Sequence, residues 1–284
     1  MASTEAHVPG AEKDHAVHND TTGAGLNNGA PATKRYDYGG HPLAHAHSGP
    51  DERLPAFGGE FQPGLYRPVG NRKFANPAPL GLSAFALTTF VLSLINLQTR
   101  GITANTIVVS VAFGYGGLVQ LLAGMWEMAV GNTFGATALS SYGGFWISFA
   151  IILTPGFAAT AGYEGDEAEV ASVLGFFLAG WFIFTTILFI CTLRSTVMFC
   201  ALFGTLDLAF LFLFSAEFAK ANGSSMAVGI QKAGGVFGIL AAFLAWYNAF
   251  AGIADSSNSF FLIPVFHFPW SEKARAAKTE REIV

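Results

Sequence analysis

The sequence predicts an all-α polytopic membrane protein, with six transmembrane helices behind a disordered cytoplasmic N-terminal arm. Three observations lead there. Charge is scarce, at 12% of 284 residues against 52% hydrophobic, and mean hydropathy is +0.44; a soluble domain carries roughly 25% charged residues. The two kinds of residue are also segregated. Positions 1–70 hold six of the seven histidines and many Gly, Pro, Ala, Asn and Thr, whereas 79–253 are apolar with few interruptions. That apolar stretch divides into six pieces, each near the roughly 20 helical residues that a hydrocarbon core of about 30 Å requires.

Taken in order, the first span covers Pro79–Leu97 and stops at the polar run Gln98-Thr99-Arg100-Gly101. The second covers Asn105–Val130, with Gly131-Asn132-Thr133 as its punctuation. The third, Leu139–Ala159, precedes an acidic run from Glu164 to Glu169. The fourth, Val170–Leu193, ends at Arg194-Ser195, and the fifth, Thr196–Ala219, ends before Asn222-Gly223-Ser224-Ser225. The sixth, Met226–Ala254, completes a membrane domain over 74–255 and leaves a C-terminal tail at 256–284. The links are short, so neighbouring helices are expected to run antiparallel.

Lys and Arg near the span ends set the orientation. Arg67, Arg72, Lys73, Arg194, Lys273 and Arg275 gather on one side, against Arg100, Lys220 and Lys232 on the other. Both termini are therefore expected in the cytoplasm, in agreement with an even number of spans, and the plasma membrane is the expected location. No apolar run falls within the first 30 residues, so the first span is expected to act as the targeting signal.

Several functions have no footprint. Net charge is −4, and no basic patch carries interleaved aromatics, which argues against nucleic acid. Cys191 and Cys200 lie in or beside apolar stretches and read as packing residues. His41, His45 and His47 sit in a Gly/Pro-rich arm, where free histidines need no metal. No HExxH, GxSxG or GxxxxGK[ST] pattern occurs, so neither an enzyme nor a cofactor is expected. Phe57, Phe61, Tyr66 and Phe74 among basic residues, and the aromatics of Phe260–Trp270, read as interfacial anchors.

Polar groups inside the spans are the candidates for chemistry. Asn76-Pro77-Ala78-Pro79-Leu80-Gly81 opens the first helix. Proline is tolerated there, and free N–H groups at a helix start suit a carboxylate; a plain interfacial start is the simpler reading. Thr89, Ser93 and Asn96 form one polar stripe, and Gln120 and Glu127 share a face with Gly114, Gly117 and Gly124. These patterns fit either close helix packing or a water-lined path. Asp207 falls mid-span, where a charge costs about 2.5–3.5 kcal/mol on insertion, so it must face protein or water. Glu217, three residues before Lys220, reads as half of a helical pair.

Three separated stretches add a resemblance. "NPAPLGL" at Asn76–Leu82, "GNTFGATALSSYGGFW" at Gly131–Trp146 and "AWYNAFAG" at Ala245–Gly252 occur in the order seen in the acetate uptake transporter family. The chain resembles that family over about residues 74–255, and its long polar arm resembles the fungal members. The resemblance implies a six-helix subunit that assembles as a homo-hexamer, each subunit enclosing its own path through the bilayer. It implies transport of acetate and similar small monocarboxylates, with proton coupling. By motif matching the narrow constriction falls on Phe85, Tyr142 and Leu206, and Ala245 matches a position that affects the size of acid accepted. Asn76, Thr88, Tyr115, Gln120, Glu127, Asn132 and Thr133 are the further pathway candidates, and Asp207 or Glu127 the proton relays. Asp207 departs from the family pattern, since it matches an uncharged position in bacterial relatives. A passive acetate channel, an ammonium exporter and a membrane acetate sensor signalling through the arm remain alternatives.

Overall fold

The computed structural model describes residues 75–271 apart from 164 and 256. The arm expected at 1–70, its basic residues and the end of the tail lie outside these. Six helices follow: α1 Ala78–Asn96, α2 Thr106–Ala129, α3 Thr133–Leu153, α4 Glu167–Thr192, α5 Val197–Ala221 and α6 Ala227–Ile253. Each is long and apolar enough to cross a membrane. The chain is therefore an integral, multi-pass membrane protein. Among the described residues the only β-type pairing is an isolated bridge between Thr196 and His267.

Five of the six helices start and stop within a few residues of the sequence expectation. The third differs. It begins at Thr133, six residues before Leu139, and ends at Leu153 rather than Ala159. The Asn132 side chain accepts a hydrogen bond from Gly135 N at 3.0 Å and so caps an N-terminus that reads in the sequence as a loop. At the other end Pro155 forces Thr154 into an extended conformation (φ −99, ψ 109), because proline disfavours a helical residue before it. Side-chain caps also open α4, where Asp166 accepts from Ala168 N and Glu169 N, and α5, where Thr196 accepts from Phe199 N.

The second helix is not uniformly α. A π-helical turn occupies Gly114–Val119; such turns are uncommon and frequently mark functional sites. Beyond it Gln120, Ala123, Gly124 and Glu127 are buried, at the i, i+3, i+4, i+7 spacing of one helix face. Leu118, Leu122, Met125 and Trp126 of the same helix are exposed. The helix thus turns polar groups inward and apolar ones outward, the reverse of a soluble helix and the arrangement a bilayer favours.

Small residues set the helix contacts. A Cβ on Gly124 would meet Ser140 of α3, and one on Gly143 would meet the Leu121 backbone nitrogen at 2.7 Å. Gly235 and Gly238 of α6 lie equally close to Ser93 and Leu97 at the end of α1. Around α3 the contacts are instead aromatic: Phe145 packs on Phe177, Trp181 and Phe210, with ring centroids 5.8, 5.2 and 5.4 Å away. After α6 the chain returns along the α4–α5 link. Val197 N donates to Phe266 O at 2.8 Å, Trp270 Nε1 donates to Leu193 O at 2.8 Å, and the Tyr247 hydroxyl donates to Pro264 O. The aromatics read as bilayer anchors thus also fasten this segment to the helix ends.

Candidate functional site

Two cavities between the helices share part of their lining. The larger, about 120 Å³, reaches Asn96, Asn105 and Gln231. The smaller, about 20 Å³, lies against Leu82, Gln120 and Leu139. Since one water needs roughly 10–15 Å³, the first has room for several waters and the second for about one. Phe85, Tyr142 and Leu206 border both cavities. These are the three residues that motif matching assigns to the constriction, brought together from α1, α3 and α5.

The neck is held by specific contacts. The Phe85 and Tyr142 ring centroids are 6.0 Å apart, and Phe184 stands edge-on to Tyr142 at 5.8 Å. Tyr142 Oη lies 2.9 Å from Thr185 Oγ1. Thr185 has one hydroxyl proton, and it goes to Trp181 O at 2.7 Å. Tyr142 is therefore the donor, and its O–H is committed to α4.

On the smaller-cavity side, Gln120 is fully buried, and neither its Oε1 nor its Nε2 has a hydrogen-bond partner among the described residues. Thr88 is buried but bonds back to Ala84 O at 2.9 Å, a satisfied geometry common for helical threonines. Glu127 is buried, and Asn132 Nδ2 donates to its Oε2 at 2.6 Å while Asn132 also caps α3. The other candidates are more peripheral. Asn76 Oδ1 accepts from Ala78 N at 3.1 Å, occupying one of the amides the sequence leaves for an anion. Thr133 is exposed, Tyr115 is half-buried in the π-helical turn, and Ala245 is buried; like Asn76, Thr88, Glu127 and Asn132, none of the three borders either cavity.

Asp207 also borders neither cavity. Its Oδ1 lies 2.9 Å from Thr186 Oγ1 on the α4 side, a hydroxyl whose single proton also has Phe182 O within reach at 3.0 Å. Thr186 follows Thr185, so α4 holds the neck tyrosine with one threonine and the mid-span carboxylate with the next. Among the further lining residues, Thr89 belongs to the polar stripe of α1, Glu217 reads in the sequence as half of a helical pair, and Trp146 has no role assigned from the sequence. Glu217 faces the larger cavity near Asn96 and Gln231, which are themselves joined at 3.2 Å. Trp146 and Thr89 line it closer to the neck. The spacing of Thr89 and Trp146, four residues beyond Phe85 and Tyr142, is the sequence signal that marks them; Glu217 has none beyond Lys220.

The profile of the GPR1/FUN34/yaaH family matches residues 57–270. The chain belongs to this family. Among relatives, it is 65% identical over 256 residues to acetate permease A of Emericella nidulans, covering 88% of this chain and 85% of that protein. It is 51% identical over 223 residues to ammonia transport outward protein 2 of Saccharomyces cerevisiae, covering 78% and 77%. The solved structure of the bacterial acetate channel SatP is 34% identical, with a TM-score of 0.54, over 62% of this chain and 91% of that one. The GPR1/FUN34/yaaH match spans all six helices, so the neck and both cavities belong to the family domain.

Proposed function

We propose that this protein is a transporter that carries acetate and similar small monocarboxylates across a membrane, and that they pass between Phe85, Tyr142 and Leu206. The observation that carries this reading is the neck shared by two cavities, which supports a route with one narrow, apolar point. Relatives named as an acetate permease and an acetate channel support the substrate. An acetate ion loses its hydration at such a neck, at a large cost unless its charge is neutralised, so transport is coupled to a proton. Glu127 and Asp207 are the candidate relays. Gln120 supports the same chemistry from the smaller cavity. Its amide offers one donor side and one acceptor side, both unpartnered, and a protonated carboxylic acid offers the complementary pair. Thr88, Asn132, Thr133, Asn76, Tyr115 and Ala245 act around that route, by shaping it and supporting its polar groups.

Labelled acetate uptake into proteoliposomes tests the coupling. An imposed pH gradient, acid on the entry side, is expected to drive acetate above equilibrium. Uptake that only equilibrates, and ignores collapse of the gradient, makes the protein a passive channel. Asp207→Asn with coupling intact removes that residue from the mechanism.

One observation favours a second reading. Glu217 gives the larger cavity a carboxylate acceptor beside the amide side chains of Asn96, Asn105 and Gln231, which suits a cation. A relative named for outward ammonia transport agrees with that. Methylammonium flux abolished by Glu217→Gln, with acetate flux retained, supports this reading. The exposed apolar faces of α2 and α4 support lipid and neighbouring subunits as partners, and we take the assembly to be a homo-hexamer in the plasma membrane with both termini cytoplasmic. Native mass measurement in detergent and protease access to each terminus check those assignments.

A further inference from the structure

Four residues beyond Phe85 along α1 is Thr89, and four beyond Tyr142 along α3 is Trp146. Residues four apart share a helix face one turn on, about 6 Å along the axis. Both side chains border the larger cavity and not the smaller, so each neck ring is followed, on that side, by a polar group.

Those two groups share an unusual state. Trp146 is 2% exposed and Thr89 6%, and neither Trp146 Nε1 nor Thr89 Oγ1 has a hydrogen-bond partner among the described residues. Buried polar groups are nearly always paired, and a buried indole N–H normally finds an acceptor. Thr89 also departs from several helical threonines here. Thr88, Thr185 and Thr205 bond back to the carbonyl four residues earlier, whereas Thr89 Oγ1 makes no such bond and stands on the cavity wall.

An indole N–H is a donor only, and a threonine hydroxyl carries one further donor. We propose that Trp146 and Thr89 form a carboxylate-binding subsite on the larger-cavity side of the neck, each donating one hydrogen bond to an oxygen of a small monocarboxylate. Phe145, Phe149 and Leu178 line the same cavity and receive the short hydrocarbon end of the acid. An ammonium ion has no acceptor for the indole N–H, so the subsite distinguishes acid from ammonium. The proposal rests on the monocarboxylate reading above, since it names where that substrate waits before the neck.

Initial acetate uptake, measured over a range of concentrations in proteoliposomes, tests it with three variants. Trp146→Phe keeps an aromatic ring and removes the donor; Thr89→Val keeps the branched shape and removes the hydroxyl; Thr89→Ser returns a hydroxyl. Losing one hydrogen bond to a charged ligand is expected to raise the half-saturating acetate concentration roughly tenfold. The loss falls on half-saturation more than on maximal rate, and Thr89→Ser recovers most of it. In detergent, acetate is expected to raise the unfolding temperature of the wild type and to do so less for Trp146→Phe. Half-saturation unchanged in both Trp146→Phe and Thr89→Val overturns the subsite, as does a loss confined to maximal rate. If Trp146→Phe does not fold, the Thr89→Val and Thr89→Ser pair decides alone. Wild-type vesicles that take up no acetate overturn the transport reading itself, a result distinct from either.

Discussion

Tyr142 is oriented by one hydrogen bond. Its hydroxyl donates to Thr185, and its ring centroid lies 6.0 Å from that of Phe85. Thr185→Val strands that buried donor, at a cost of about 1–3 kcal/mol. Thermal unfolding in detergent should fall accordingly, and Thr185→Ser should restore it; unfolding unchanged in Thr185→Val means that the phenol finds another acceptor. Size selection belongs to the same scale. Leu206→Ala removes bulk from the neck, so butyrate should compete against labelled acetate several-fold better than in the wild type. Motif resemblance grouped Phe85, Tyr142 and Leu206, which border both cavities; nothing in their spacing brings α1, α3 and α5 together. Trp146 stood inside a quoted motif and still went unassigned, because an aromatic in an apolar span is ordinarily packing.

At the scale of helices, the α1–α2 and α2–α3 contacts depend on residues without bulk. A Cβ on Gly116 would stand 2.5 Å from Thr88 Oγ1, in the π-helical turn that precedes Gln120. Gly116→Ala is expected to cost about 1–3 kcal/mol by overpacking and to lower acetate uptake, whereas Gly144→Ala, where a Cβ meets nothing within 4 Å, should leave unfolding unchanged. Equal unfolding temperatures for the two alanines would falsify the close-contact account. Asn132 joins two elements, capping α3 and holding Glu127. Asn132→Ala should lose about 1 kcal/mol from the cap alone, read as a lower unfolding temperature. The ends of five helices were legible because polar punctuation and apolar length agree there. The start of α3 was not, since Thr133–Ala138 is mostly small and partly polar, and its capping bond from Asn132 is not visible in hydrophobic patterning. The π-helical turn leaves no trace in hydrophobic periodicity.

For the whole molecule, the described residues include the neck and both cavities without the arm. Deleting residues 1–65 is therefore expected to leave acetate uptake per molecule within about twofold of the full chain, a difference of about 0.4 kcal/mol. Uptake lost on deletion, in protein that still reaches the membrane, moves part of the transport machinery into the arm; a signalling output lost while uptake persists favours the sensor reading instead. The C-terminal segment was legible as aromatic. Its bonds to Leu193 and Val197 were not, because they join residues 69 or more positions apart in a chain whose local pattern records only hydrophobicity.

Six spans and a membrane location were determined by the sequence by itself, because the length of an apolar run is a local quantity and the bilayer measures it one helix at a time. Which carboxylate faces the cavity was decided only by tertiary structure. Asp207 drew attention as the costly mid-span charge, yet it bonds to Thr186 away from both cavities, while Glu217, near a helix end, looks into the larger one. The physical reason is that a residue's height in the membrane follows from counting, whereas its direction follows from which neighbours surround the helix. The same holds for the unpaired atoms of Gln120, Trp146 and Thr89: a polar residue is visible in the sequence, but the absence of its partner is a property of the packed molecule.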